Sequence, residues 1–272
     1  MPVADPAGPA DPDAEIPLAG GMGSGGLVVR VGETVRRPQR PHTTSVNAFL
    51  DHLAEHGFDG APRPLGTDAT GRDILSWLDG DVGIPPFPDW VADDELLVSV
   101  ARLQRLLHRA ARGFAEPPDA VWDRANLPEP TTDAIVCHND LCVENVVVRH
   151  GRAVGFIDFD FAAPSDPLLD VAIACRHWVP FKEPSDIADA RAGLDLVGRF
   201  HRFCHAHDLT ASQRAAVVGQ AGEFLDRAMV SMKGRADAGQ AMYIAAWDGG
   251  YPAQNRRSRT WIERHHNDLA RR

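Results

Sequence analysis

No apolar stretch in this 272-residue chain approaches the ~20 residues of a membrane span, and its start lacks the basic and apolar regions of a signal peptide. Both absences point to a cytoplasmic protein that neither crosses nor binds a membrane. Cysteine is scarce: Cys137, Cys142, Cys175 and Cys204 form no CxxC pair, and without a secretory signal they are expected to be buried thiols. Positive charge is also in deficit, with 28 Lys and Arg against 38 Asp and Glu, a formal net charge of −10. That balance argues against a nucleic-acid binder, which would turn basic surface toward phosphates, and it would suit a small cationic substrate. Lysine is nearly missing, Lys182 and Lys233 being the two present. No Walker A sequence occurs.

What is present is concentrated in residues 135–160. The β-branched run 146–148 and the run 153–157 flank His150-Gly151, a turn signal that predicts a hairpin. With the turn centred there, Asn145 is expected opposite Phe156, and Asp158 one or two residues beyond it. At ~3.3 Å per residue and ~4.8 Å between strands, the Asn145 amide oxygen and the Asp158 carboxylate can then share one small cation. Mg²⁺ takes hard oxygen ligands, one or two carboxylates together with substrate phosphates, and these two side chains supply such a partial shell. Asp140, five residues before Asn145, stands where a carboxylate can accept the proton of an attacking hydroxyl.

His138-Asn139-Asp140-Leu141-Cys142-Val143-Glu144-Asn145 followed by Ile157-Asp158-Phe159-Asp160 resembles the aminoglycoside phosphotransferase and choline kinase family. The resemblance implies an α+β, protein kinase-like two-lobe fold: a tail over 1–15, a β-rich nucleotide-binding lobe over 16–78, and a mostly helical lobe over 79–272. It implies ATP as donor, with GTP open because the hinge pattern selects no base, and Mg²⁺ as cofactor. The reaction implied is transfer of the γ-phosphate to a hydroxyl of an aminoglycoside-like compound, another aminoalcohol or a sugar. Asp140 is then the catalytic residue, Asn145 and Asp158 the metal ligands, and His138 and Asp170 the braces of the loop. Relatives usually read His-Gly-Asp where this chain has Asn139, which requires Asn139 to take a left-handed backbone.

Other expectations follow from the same resemblance. Residues 20–26 are Gly-rich and open a hairpin, so Gly23 and Ser24 are candidates to cover the nucleotide phosphates. With no lysine upstream, an arginine must take the basic position of the third strand: Arg36 first, Arg37 second. The helix from Thr43 or Thr44 to about His56 carries no carboxylate in residues 43–50, so the usual partner of that basic residue is remodelled or absent. That departure, together with the missing lysine, supports an alternative reading as a catalytically weak or inactive binding or immunity protein. Residues 72–78 form the expected hinge strand, with Leu75 and Trp77 at the adenine edge. A helix over 92–111 has an apolar stripe of Leu96, Leu97, Val100, Leu103, Leu106 and Leu107, and further helices are expected over 167–178, 186–206, 211–233 and 252–270. Nine residues from Asp158 to Pro167 leave no room for a long activation segment, so the substrate is small. Asp160, Glu183, Asp186, Glu223 and Asp226 are the acidic candidates for binding a cation.

Overall fold

The computed structural model describes residues 14–18 and 27–271. Gly23 and Ser24 lie outside the described residues. Five short strands form an antiparallel sheet in the order β1-β2-β3-β5-β4: β1 (Ile16–Pro17), β2 (Val29–Val31), β3 (Thr34–Arg37), β4 (Pro64–Thr67) and β5 (Asp73–Ser76). Glu15, just ahead of β1, is held by Arg72 at 2.6 Å. Helix α1 (Thr43–Glu55) crosses this sheet and buries Val46, Phe49, Leu50 and Leu53, the face its 3.6-residue period marks out.

A chain crossing then leads to the helical lobe. After β5, residues 78–80 make no backbone hydrogen bond among the described residues, until Asp81 and Val148 exchange both of theirs at 2.8 Å. Gly80, at φ 145°, lets this crossing lie on the hairpin: a Cβ there would stand 2.7 Å from the Val148 carbonyl oxygen. Helix α2 (Asp94–Ala110) starts on an Asp93 cap and buries Leu96, Leu97, Val100 and Leu107. Its stripe departs from expectation at two places. Leu106 is 50 % exposed, while Gln104 and His108 are buried because their face of α2 meets Asp170.

Strand β6 (Ile135–Cys137) pairs with β9 (Ala163–Ser165), and β7 (Val146–Arg149) pairs with β8 (Arg152–Phe156). Helices α3 (Pro167–Trp178), α4 (Leu196–His207), α5 (Ala211–Asp237), α6 (Ala241–Asp248) and α7 (Tyr251–Arg271) complete the lobe. The expected helix over 186–206 is helical only in its second half. Asp189 folds back onto the Arg191 backbone and guanidinium, making a turn where the helix would run, and Asp195 caps α4 instead. Helix α6, between Gly239 and Gly249-Gly250, was not expected from the sequence; none of its residues is buried, so it has no one-sided apolar stripe to read. No described helix is long and apolar enough to cross a membrane.

Candidate phosphoryl-transfer site

The β7-β8 hairpin turns at His150 (φ 51°) and Gly151 (φ 70°), the pair of left-handed residues a tight hairpin turn requires. A bulge between Val147 and Val148 adds one residue to β8, so Val146, rather than Asn145, faces Phe156. Asn145 therefore sits opposite Ile157, whose N–H donates to the Asn145 carbonyl at 2.9 Å, and Asp158 follows immediately. Asp140 joins them through Asn145, whose Nδ2 donates to the Asp140 carboxylate at 3.0 Å and to its carbonyl at 2.9 Å. The three oxygen-bearing side chains thus meet at the open end of one hairpin.

Their chemistry fits a divalent cation. Both side-chain hydrogen bonds of Asn145 use its nitrogen, which leaves Oδ1 without a partner among the described residues. Asp158 takes a left-handed backbone (φ 61°, ψ 65°), a conformation L residues adopt only under local constraint, and its exposed carboxylate makes no ion pair among the described residues. Crowding by protein atoms and the neighbouring Asp160 raise its pKa. Burial, Asp158 and Glu144 together push Asp140 up to about 8, against the Asn145 hydrogen bond and the charge of Arg176. Carboxylates crowded in this way are stabilised by a hard cation.

Below these groups lies a bracing network. His138 is fully buried, with Nε2 3.0 Å from the Ile157 carbonyl oxygen. Asp170, on the first turn of α3, accepts the Asn139 N–H at 2.6 Å, Gln104 Nε2 at 2.8 Å and His108 Nε2 at 2.7 Å. Burial opposes ionisation of Asp170, but His108 and Gln104 outweigh it and hold the carboxyl below its ordinary value. Gln104 and His108 escaped the sequence reading. Their signal was a pair of polar side chains one turn apart on an apolar helix face.

Asn139 takes φ 61°, the backbone its place in the loop demands, and its side chain does what glycine cannot. Nδ2 lies 3.1 Å from each of the carbonyl oxygens of Cys137, Phe161 and Ala163, while Oδ1 accepts from Ser165 Oγ at 2.7 Å. One amide thereby ties the loop that carries Asp140 to the segment that follows Asp158. Asn139→Gly keeps the backbone but deletes these bonds and is expected to lower stability by about 2 kcal/mol. Asn139→Ala, which also forces an alanine into the left-handed region, should cost about 1 kcal/mol more, as read from urea unfolding midpoints.

On the sheet side, Arg37 rather than Arg36 reaches this site. Its Nε lies 3.0 Å from Asp73 Oδ2 and one terminal nitrogen lies 2.7 Å from Asp160 Oδ1, while its other terminal nitrogen, Nη2, is buried with no hydrogen-bond partner. Arg36 points to the opposite face, toward Thr34 Oγ1 at 2.5 Å and Asp68 at 4.0 Å. Residues 43–50 of α1 hold no carboxylate, and Arg37 pairs with Asp73 on β5, which Asn47 of α1 also holds at 2.8 Å. Leu75 lies between Val35 and Pro64 inside the sheet, and the Trp77 N–H is given to the Glu33 carbonyl, so neither offers a free backbone donor to the cleft. All five acidic candidates for a cationic ligand already face arginines: Asp160 with Arg37 and Arg40, Glu183 with Arg264, Asp186 with Arg257, Glu223 with Arg227, and Asp226 with Arg259.

Comparison with known proteins bears on the family and the fold. The model of the phosphotransferase enzyme family matches residues 119–206, which include α3 and the whole hairpin. Among curated proteins, the trifolitoxin immunity protein of Rhizobium leguminosarum bv. trifolii is 32% identical over 213 residues, covering 75% of this chain and 78% of that protein. Among solved structures, a choline/ethanolamine kinase family protein from Mesorhizobium loti shares the fold with a TM-score of 0.63 at 15% identity, over 94% of this chain and 92% of that one. The GDP complex of aminoglycoside 2'-phosphotransferase-IIIa superposes with a TM-score of 0.62 at 12% identity, over 89% of this chain and 92% of that one. An amicoumacin kinase in complex with AMP-PNP and Ca²⁺ gives 0.61 at 12% identity, over 93% and 89%. The kinase-like fold and the extent of these matches lead to one assignment: the chain belongs to the phosphotransferase enzyme family, with the aminoglycoside phosphotransferases and the choline and ethanolamine kinases as its structural neighbours.

Proposed function

We propose that this protein transfers the γ-phosphate of ATP to a hydroxyl group of a small molecule. The observation that carries the reading is the meeting of Asp140, Asn145 and Asp158 at one hairpin mouth. Asp140 orients the acceptor hydroxyl and takes its proton. Asn145 and Asp158 hold Mg²⁺, which supplies charge neutralisation to the phosphates when bound. Arg37 steadies the non-transferred phosphates with its unpartnered nitrogen, and His138, Asn139 and Asp170 keep the loop in register.

A second reading, a noncatalytic immunity protein on a kinase-like scaffold, is favoured by the relative that confers immunity and by the absent helix carboxylate. One experiment separates the two. Purified protein is incubated with ATP, Mg²⁺ and a panel of aminoglycosides, aminoalcohols, sugars and hydroxy acids, and products are read by mass spectrometry for the added phosphoryl group. Turnover that disappears in folded Asp140→Ala supports the enzyme. Nucleotide binding without any phosphorylated product across the panel and cell metabolites supports the immunity reading.

A further inference from the structure

We infer that Arg30 is the platform on which the donor's nucleobase stacks, its guanidinium lying flat between the base and the Trp77 ring. The inference rests on the phosphotransferase reading and adds a residue to that same site. The hinge expectation placed Trp77 at the adenine edge, but its backbone N–H is given to the Glu33 carbonyl at 2.9 Å. The side chain remains, and Arg30 covers it: the guanidinium carbon stands 4.2 Å from the Trp77 ring centroid.

Sheet register puts this pair on the face that reaches the catalytic hairpin. Arg30 of β2 stands opposite Val35 of β3, and Val35 stands opposite Leu75 of β5. Directly opposed residues of antiparallel strands share a face, and so do residues two apart, which adds Arg37 and Trp77 to the set. Arg37 marks one end of this face with its 2.7 Å contact to Asp160. Trp77 marks the other, beside Glu33, four residues before Arg37 and so about 13 Å from it at ~3.3 Å per residue. A nucleoside triphosphate spans such a distance between its base and its phosphates. Just past Trp77 the chain meets the second lobe: a Cβ on Gly155 of β8 would stand 2.8 Å from Leu78 Cδ1. The pair therefore lies where the two lobes join.

Arg30 is held in a way that leaves one flat face to a ligand. Its Nε donates to the Gly32 carbonyl at 2.8 Å and its Nη2 to Glu33 Oε1 at 2.8 Å. Guanidinium N–H groups point outward in the plane of the group, so these two bonds fix that plane without covering its faces. Trp77 takes one face, and no other ring lies on Arg30 among the described residues. The side chain is still 32 % exposed. Directly opposite Arg30 on β1, and on the same face, Ile16 is 58 % exposed. A planar cation beside an exposed apolar side chain matches the face of an aromatic base. Residues 78–80, which make no backbone hydrogen bond among the described residues, offer polar partners to its edge.

The test is calorimetric titration in Mg²⁺ with AMP-PNP and with inorganic tripolyphosphate, which carries the phosphates without a base. The unmodified protein is expected to bind AMP-PNP at least about fivefold more tightly than tripolyphosphate, the lower end of what one stacked base contributes. Arg30→Leu and Arg30→Lys should each weaken AMP-PNP by about tenfold, because neither side chain offers a flat π-face. Lysine keeps the charge for Glu33 and a cation for the Trp77 ring, so it would rescue a residue that acts only as a strut or a point charge. AMP-PNP affinity within about twofold of the unmodified protein in Arg30→Leu, recovery of that affinity in Arg30→Lys, or tripolyphosphate binding as tightly as AMP-PNP overturns the inference. Failure of the unmodified protein to bind AMP-PNP overturns the phosphotransferase reading itself, a separate result in the same experiment.

Discussion

Asp140→Asn is expected to abolish turnover and, in EDTA, to make the protein more stable. The two effects have one cause. The folded protein holds the Asp140 carboxyl at about 8 against an ordinary value of 3.8, mainly through burial and then through Asp158 and Glu144. The native state thus binds this proton more tightly than the unfolded chain, so its contribution favours folding at low pH and turns against folding as pH rises from about 4 toward 8. At pH 7 the gap sets an upper bound of about 4 kcal/mol, and partial exposure of the carboxyl to water reduces it to about 2 kcal/mol. Asparagine removes the charge and that penalty. The gain in Tm should accordingly be larger at pH 8 than at pH 5. Turnover should fall by at least about 10²-fold, the lower end of what a positioned base contributes. Adding Mg²⁺ should narrow the stability difference, because the wild-type site gains more from a cation than the neutral one. A variant less stable than wild type in EDTA at pH 8 would contradict the electrostatic account.

The parts of this site that could be read from the sequence are those that lie close together in it. Asp140, Asn145 and Asp158 fall within a single loop and hairpin, so strand geometry alone brings them near one another; the bulge at Val147 moved the register by one residue without separating them. Asn139 could be read as left-handed because few side chains tolerate that backbone, but its bonds to Phe161, Ala163 and Ser165 depend on β6 meeting β9, which no local pattern announces. The buried polar triad of Gln104, His108 and Asp170 was hidden for the same reason: α2 and α3 are more than fifty residues apart. Charge was the least legible quantity. A net count treats Glu183 and Asp186 as free acids, whereas α7 brings Arg264 and Arg257 onto them. The choice between Arg36 and Arg37 was legible in principle, since strand alternation puts residue 37 on the same face as Val35, which packs against the core.

That choice yields the second large effect. Arg37→Met is expected to lower Tm on the order of 10 °C, while Arg36→Met should leave it within about 2 °C. Arg37 is the ion-pair partner of Asp73, which is 1 % exposed and would otherwise keep only the Asn47 amide. Removing one partner of a buried pair strands the other charge, a loss on the order of 3–5 kcal/mol. Arg36 faces Asp68, which Arg72 and Thr70 already satisfy, so its removal strands nothing. Stability alone does not establish that Arg37 meets a nucleotide. The double variant Arg37→Met/Asp73→Asn separates the roles, since it leaves no charge stranded on β5 and should recover most of the lost Tm. If the unpartnered Nη2 is the phosphate donor, AMP-PNP affinity in that double variant stays weakened by at least about tenfold, the size expected for losing a charge-assisted bond. Recovery of both stability and nucleotide affinity would reduce Arg37 to a strut between β5 and the Asp160 segment, and the contact with the phosphates would then have to come from elsewhere.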